Sequence, residues 1–232
     1  MTLHRLKVTE STNRDAHAGV PGDVFWADFQ TAGRGRLDHV WLAPEGVNLT
    51  FSAVFDVAGM EPAEVATFPL IAGLAVVRAV APLLPCAVTV KWPNDVLVDG
   101  RKLAGILCER NGPCVIVGIG LNVNQTAFPP EIAARATSLA NLAGRVFDRE
   151  AVLRRVLDAL EREHAHWRKV GFAACQPAFA AIDHLRGRVV SVYQTDADPE
   201  PVTGVCGGIQ ADGTLRVGET SVFAGEAHVV QK

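Results

Sequence analysis

No run of lysine and arginine, no C-x-x-C pair and no apolar stretch near the ~20 residues of a bilayer span occurs in these 232 residues, and each absence excludes a function class. With 22 basic against 25 acidic side chains the formal charge is −3, so no field draws a polyanion to the chain as a whole, and nucleic acid is not an expected partner. The five cysteines, Cys86, Cys108, Cys114, Cys175 and Cys206, are odd in number and scattered, as expected of reduced, mostly buried small hydrophobes and not of a zinc or redox centre. The longest mostly apolar stretch, residues 65–77, stops at Arg78, and the opening MTLHRLKVTESTN breaks its apolar residues every second or third position. No membrane partner is expected, and the expected compartment is the cytoplasm. What the chain does have is 49% hydrophobic and 20% charged residues, enough for a sizeable core in one large or two modest domains.

The stretch with the most chemistry is residues 91–109, KWPNDVLVDGRKLAGILCE. Asp99-Gly100 lies between two apolar runs and suits a two-residue type I′ turn, so Val98 is expected to pair with Arg101. Counting outward, Leu97 faces Lys102, Val96 faces Leu103 and Asp95 faces Ala104, which sets Asp95, Leu97, Lys102 and Ala104 on one side of the ribbon. Asp95 and Lys102 are then diagonal neighbours about 7–8 Å apart at the backbone, able to meet each other or one ligand. The plain alternative is a solvated cross-strand salt bridge. Two neighbours argue for a site: Pro93 makes a rigid entry after Trp92, and Gly105 weakens the second strand unless a bulge or a ligand needs the space.

Elsewhere Leu3, Leu6 and Val8 predict a first strand, and Ser11-Thr12-Asn13 caps a short helix over residues 13–18 whose free N–H groups suit a carbonyl or anion. A strand over 23–29 leads through Gln30 into Gly33-Arg34-Gly35-Arg36, a mobile cationic loop able to grip phosphate oxygens. Further strands are expected over 48–55, 88–91 and 114–123, the last with Gly118, Gly120 and Asn122 on one face as a flat floor beneath a ligand ring. Helices are expected over 62–80 with a kink at Pro69, over 138–143 capped by Thr137, over 149–167, and over 171–182. His164 and His166 are two apart, do not share a helical face as zinc ligands would, and are expected to be solvated. From Arg186 four short β-like runs, RVVSVYQ, VTGVCGGIQ, TLRV and SVF, suggest a small barrel.

KWPND followed by RKLAGIL and an acidic residue, with GRGR upstream and GIGLNVN downstream, resembles the signature of biotin protein ligases, and the likeness runs from about residue 3 to the C-terminus. The resemblance implies an α+β fold, a mixed or antiparallel sheet with packed helices over residues 1–185 and an SH3-like β-barrel over 186–232. It implies biotin, ATP and Mg²⁺ as substrates and ion, with no tightly bound prosthetic group, and a biotin carboxyl carrier domain as partner, with homodimer formation left open. Ser11, Thr12, Asn13 and Gln30 would contact the biotin ring; Gly33, Arg34, Gly35 and Arg36 would form the adenylate loop; Lys102, Arg36 and Asp95 would carry the chemistry, Asp95 holding the metal. Trp41, Lys91, Asn94, Gly105, Gly118, Gly120 and Asn122 complete the implied binding set. The chain departs from the family pattern at Leu37-Asp38-His39, where further loop arginine is usual, and at Val230, where an arginine often ends the last strand. A lipoate or octanoyl transferase, a biotin-responsive repressor and a catalytically silent biotin-binding module are the rival readings. Ser11 comes too early for the N-terminal DNA-binding domain of repressor relatives.

Overall fold

The computed structural model describes residues 1–37, 39–194 and 200–230. Strands β1 (Thr2–Thr9) and β2 (Asp23–Gln30) run parallel, joined by helix α1 (Thr12–Ala16). Antiparallel strands β3 (Leu49–Asp56), β4 (Val88–Lys91), β5 (Asp95–Val98), β6 (Arg101–Asn111) and β7 (Cys114–Leu121) complete a seven-stranded sheet of order β1-β2-β3-β7-β6-β5-β4. Strands β3 and β7 are buried almost throughout and mostly apolar because they lie in the middle of the sheet, where both faces are covered.

Against this sheet pack helices α2 (Pro62–Val65) and α3 (Phe68–Val80), where one kinked helix was expected. The break falls at residues 66–67, and Pro69 sits in the first turn of α3, where its missing N–H costs nothing. Although its longest mostly apolar stretch is only residues 65–77, Pro62–Leu83 taken whole has the length and hydropathy of a membrane span; 72% of its most apolar 18 residues are buried inside the structure, which makes it a core element. After the short α4 (Pro130–Ala133), α5 (Leu139–Ala143) is capped by Ser138, whose hydroxyl accepts from the Asn141 N–H, and not by Thr137, which is fully buried. The long α6 (Arg149–Val170) starts at Asp148, whose carboxylate accepts from Glu150 and Ala151, and lays Val152, Leu153, Val156, Leu160 and Trp167 into the core. Each fully buried aliphatic side chain of this kind contributes about 1.5–3 kcal/mol. The helix expected over 171–182 is only α7 (Phe172–Cys175), a 3₁₀ turn beginning at Gln176 and Pro177, since the proline cannot supply the next helical N–H.

The turn at Asp99 (φ 50°) and Gly100 (φ 74°) sets the expected pairs Val98–Arg101 and Leu97–Lys102, but a β-bulge follows. Val96 pairs with Ala104 and Asp95 with Gly105, which corrects the counted register by one residue. The physical reason is the core: Leu103 and Ala104 are both fully buried, and the extra residue lets both apolar side chains face inward while Lys102 and Gly105 stay on the face of Asp95.

Strands β8 (Val189–Tyr193), β9 (Val202–Ile209), β10 (Leu215–Val217), β11 (Thr220–Val222) and β12 (Glu226–Val229) form a second, antiparallel sheet of order β11-β10-β9-β8-β12, one strand more than the sequence suggested. It docks on the first through the Trp92 indole N–H, which donates to the Gly213 carbonyl (3.1 Å), and through the Asp183 carboxylate, which accepts from the Ile209 N–H (3.1 Å). Buried side chains of both sheets belong to one hydrophobic cluster.

Two half-buried histidines give this fold an acid limit. His164, expected in solvent, lies against Phe55 and Phe68 and donates to the Asp56 carbonyl; burial holds its pKa below the usual value. His184 is pushed down to about 4 by burial first and then by Arg188 and Lys91. An unfolded histidine binds a proton near 6.5, before either folded one does, so the stability these neutral rings contribute is complete above pH 6.5 and is lost as pH falls toward 4. Urea midpoints should therefore decline from pH 7 to 5.5, ahead of carboxylate protonation, and less so for His184→Asn; a flat profile over that window would refute the assignment.

Candidate active site

Strands β2, β3, β6 and β7, the start of α1, the loop after β2 and strand β12 surround a cavity of about 910 Å³ including its mouth. Its polar floor begins at α1. Ser11 occupies the N-cap position but makes no side-chain cap, and Ser11, Thr12 and Asn13 are all buried (5%, 3% and 4% exposed), which is unusual for polar residues and requires partners. Gln30 Oε1 accepts from the Thr12 N–H (2.7 Å) and hydroxyl (3.0 Å). Ser52, from the middle of the apolar strand β3, reaches Thr12 Oγ1 (2.7 Å) and Asn13 Oδ1 (2.6 Å); its single proton serves one of them at a time. Asn13 Nδ2 donates to Glu109 Oε2 (2.6 Å).

Gly118 and Gly120 were expected to clear a floor for a ligand ring. The space is taken instead by the protein: a Cβ at Gly118 would overlap the Asn13 amide, and one at Gly120 the Trp41 indole. The glycines leave room for these two side chains against the sheet, and Asn13 and Trp41 line the cavity together with Gly118 and Gly120.

The opposite wall is charged. Lys102 Nζ lies 2.7 Å from Asp95 Oδ1, and 5.9 Å from the centre of the Trp41 ring. The two opposite charges form a part-buried salt bridge on the cavity wall. The salt bridge and the ligand-facing site are thus the same pair of residues. In the loop, Arg34 spans to Glu109 (3.0 and 3.3 Å), while Arg36 turns inward toward Asp95 and Glu226 and donates to the Gly225 carbonyl at 3.4 Å. Burial lowers the Arg36 pKa, Asp95 and Glu226 oppose this, and the guanidinium remains charged. Leu37 adopts φ 50°, a conformation uncommon outside glycine, and lines the cavity with His39; Asp38 lies outside the described residues.

Of the residues singled out from sequence, all but Gly33 and Asn122 line this cavity. A Cβ at Gly33 would strike the Trp41 carbonyl, so that glycine shapes the loop. Asn122, the residue after β7, is buried, donating to the Thr137 carbonyl (3.0 Å) and accepting from Asn48 (3.3 Å), and holds the segment before α5. Missed by sequence reasoning were Ser52, Glu109 and Glu226. A serine flanked by Phe51 and Ala53 in a mostly apolar strand was a legible signal for the first. Glu226 had none, because its approach to Arg36 spans 190 residues.

Among the described residues no three His, Cys, Asp or Glu side chains are grouped as a metal cage. Asp95 and Glu226 are the carboxylates of the lining, a donor set that fits Mg²⁺ carried mainly by phosphate oxygens, since that ion commonly takes one or two carboxylates beside its substrate.

The biotin/lipoate A/B protein ligase family model matches residues 6–124. A biotin–[acetyl-CoA-carboxylase] ligase of Paracoccus denitrificans is 32% identical over 226 residues, covering 90% of this chain and 91% of that one. The ligase of the same name from Mycobacterium tuberculosis is 41% identical over 169 residues, 69% of this chain and 63% of its own length, and a bifunctional ligase/repressor of Bacillus subtilis is 35% identical over 71% of this chain and 54% of its own. The chain thus spans about half to two thirds of these last two relatives. Among solved structures, biotin protein ligase from Aquifex aeolicus in complex with biotin and ATP superposes with a TM-score of 0.88 at 30% identity over 100% of this chain and 99% of that one. The Leishmania major ligase in complex with biotinyl-5-AMP gives 0.68 at 25% identity over the same shares. By the span of the family match and by these relatives, the chain belongs to the biotin/lipoate A/B protein ligase family.

Proposed function

We propose that this protein is an ATP-dependent biotin protein ligase, which activates biotin as biotinyl-5′-AMP and transfers it to a lysine of a biotin carboxyl carrier domain in the cytoplasm. The observation that carries the reading is one cavity with a polar, hydrogen-bonded floor at Ser11–Thr12–Asn13–Gln30 and a cationic wall at Lys102 and Arg36. The two ends match the two halves of an acyl adenylate. Residues 1–185 would supply both, and the part from 186 onward would close the nucleotide side through Glu226.

Amide formation from a free carboxylate needs a better leaving group than hydroxide. The carboxylate oxygen attacks the α-phosphorus of ATP, the α–β bridging bond breaks and pyrophosphate leaves. Two anions must approach each other, and preorganised cations in a site with little water offset the repulsion. Lys102, on the rigid β6, bridges carboxylate and α-phosphate; Arg36 neutralises phosphate oxygens. Mg²⁺, where Asp95 would hold it directly or through water, supplies further charge neutralisation. In the second step the carrier lysine attacks the acyl carbon and AMP leaves, with no nucleophile from the ligase required.

Selectivity tests the reading. Floor groups that pair with a ureido ring are left unsatisfied by a dithiolane, so biotin should support ATP–pyrophosphate exchange with at least ~100-fold preference over lipoate. Equal exchange with both acids would refute biotin as the substrate and favour a lipoate ligase.

A further inference from the structure

Glu109 sits behind the cavity lining and has no part in the chemistry above, yet it joins two regions that do. It lies on β6 on the face of Gly105, two strand periods on, with its side chain 26% exposed. One oxygen accepts from Asn13 Nδ2 at 2.6 Å, and both oxygens are in reach of Arg34 Nη2, at 3.0 and 3.3 Å. Asn13 is 4% exposed, and its own Oδ1 faces Ser52 at 2.6 Å.

We propose that Glu109 is a positioning residue through which the loop arginine Arg34 sets the orientation of Asn13 in the acid-binding floor. The proposal rests on the reading of the cavity as a biotin and ATP site and deepens it. An ionised carboxylate only accepts hydrogen bonds, so it selects the Asn13 amide edge that turns its NH₂ to β6 and its oxygen to Ser52. A neutral glutamine could accept or donate, which would leave the choice to the longer contact of Asn13 Nδ2 with the Leu107 carbonyl, 3.4 Å. Arg34 in turn clamps the carboxylate. The two arginines of the GRGR loop therefore divide their work: Arg36 turns into the cavity toward phosphate, while Arg34 acts on the acid end through Glu109. Charge-assisted hydrogen bonds such as these are the stronger kind and hold geometry accordingly.

The test is a double-mutant cycle on the full chain, with biotin and ATP titrated separately by calorimetry and folding followed by thermal unfolding. Glu109→Gln, the near-isosteric change, should raise the biotin Kd about tenfold with ATP affinity within twofold of wild type. Arg34→Ala should do the same in an otherwise unchanged chain, and should add nothing in a Glu109→Gln background, because its route is gone. A merely structural role would lower the melting temperature and leave this pattern absent. Additive effects of the two changes, an Arg34→Ala loss confined to ATP, or unchanged biotin affinity in Glu109→Gln each overturn the proposal. If the wild-type chain itself binds no biotin, the ligase reading fails first, and that outcome is distinct from the others.

Discussion

Lys102→Ala is expected to abolish adenylation while leaving a folded protein. The ammonium is carried by the central sheet, 2.7 Å from Asp95, and its position does not depend on loop closure. Removing a charge-assisted contact of about 1.5–3 kcal/mol lowers the rate roughly 10–150-fold, and more where the contact strengthens as charge develops on the α-phosphate. The backbone around it is held independently: the Lys102 N–H donates to the Arg135 carbonyl (2.7 Å), and its carbonyl accepts from Thr137 (2.9 Å). A melting curve close to wild type should accompany the lost activity. Unchanged ATP–pyrophosphate exchange in the mutant would leave Lys102 as half of a salt bridge and nothing more.

Arg36→Gly should separate making the adenylate from keeping it. A loop with two glycines is entropically costly to order, and contacts made with bound phosphate must drive its closure. Arg36 supplies such a contact and has only the Gly225 carbonyl, at 3.4 Å, as a hydrogen-bond partner within the described protein. Its removal should raise the off-rate of biotinyl-AMP, about tenfold or more for one lost charged hydrogen bond, more than it harms attack assisted by Lys102. The escaped anhydride then acylates lysines of unrelated proteins. The measurement is biotin incorporated into serum albumin beside a proper carrier domain. If albumin is labelled no more than by wild type while adenylate still forms, the arginine is not the retaining group, and the Leu37–His39 side of the loop becomes the place to look.

The two sheets differ in how far they could be read ahead. Strands β2, β3, β6 and β7 follow from local apolar runs, turn dipeptides and period-2 alternation, all of which act over a few residues. The small sheet was legible as a set of short strands, but β12 came only from the family pattern, which ends its last strand near Val230: Glu226–Val229 is too short and too polar to announce itself, and it exists because it pairs with β8 more than thirty residues earlier. Val230, where the family pattern often has an arginine, is 42% exposed, and this sheet reaches the cavity through Glu226 and Ala227.

By itself the sequence determined the hairpin turn at Asp99-Gly100, Lys102 and Asp95 as neighbours on one ribbon, the cationic loop and the polar start of α1, because each depends on residues close in the chain. Only tertiary structure decided the rest. The bulge that puts Asp95 opposite Gly105 answers to the need to bury both Leu103 and Ala104. The glycines of β7 answer to Asn13 and Trp41, which lie 105 and 79 residues earlier in the chain, and the link from Arg34 through Glu109 to Asn13 joins three segments that meet nowhere but in the fold. Packing and long-range hydrogen bonds have no period and no motif, so their partners become visible only when the chain has brought them within a few ångströms.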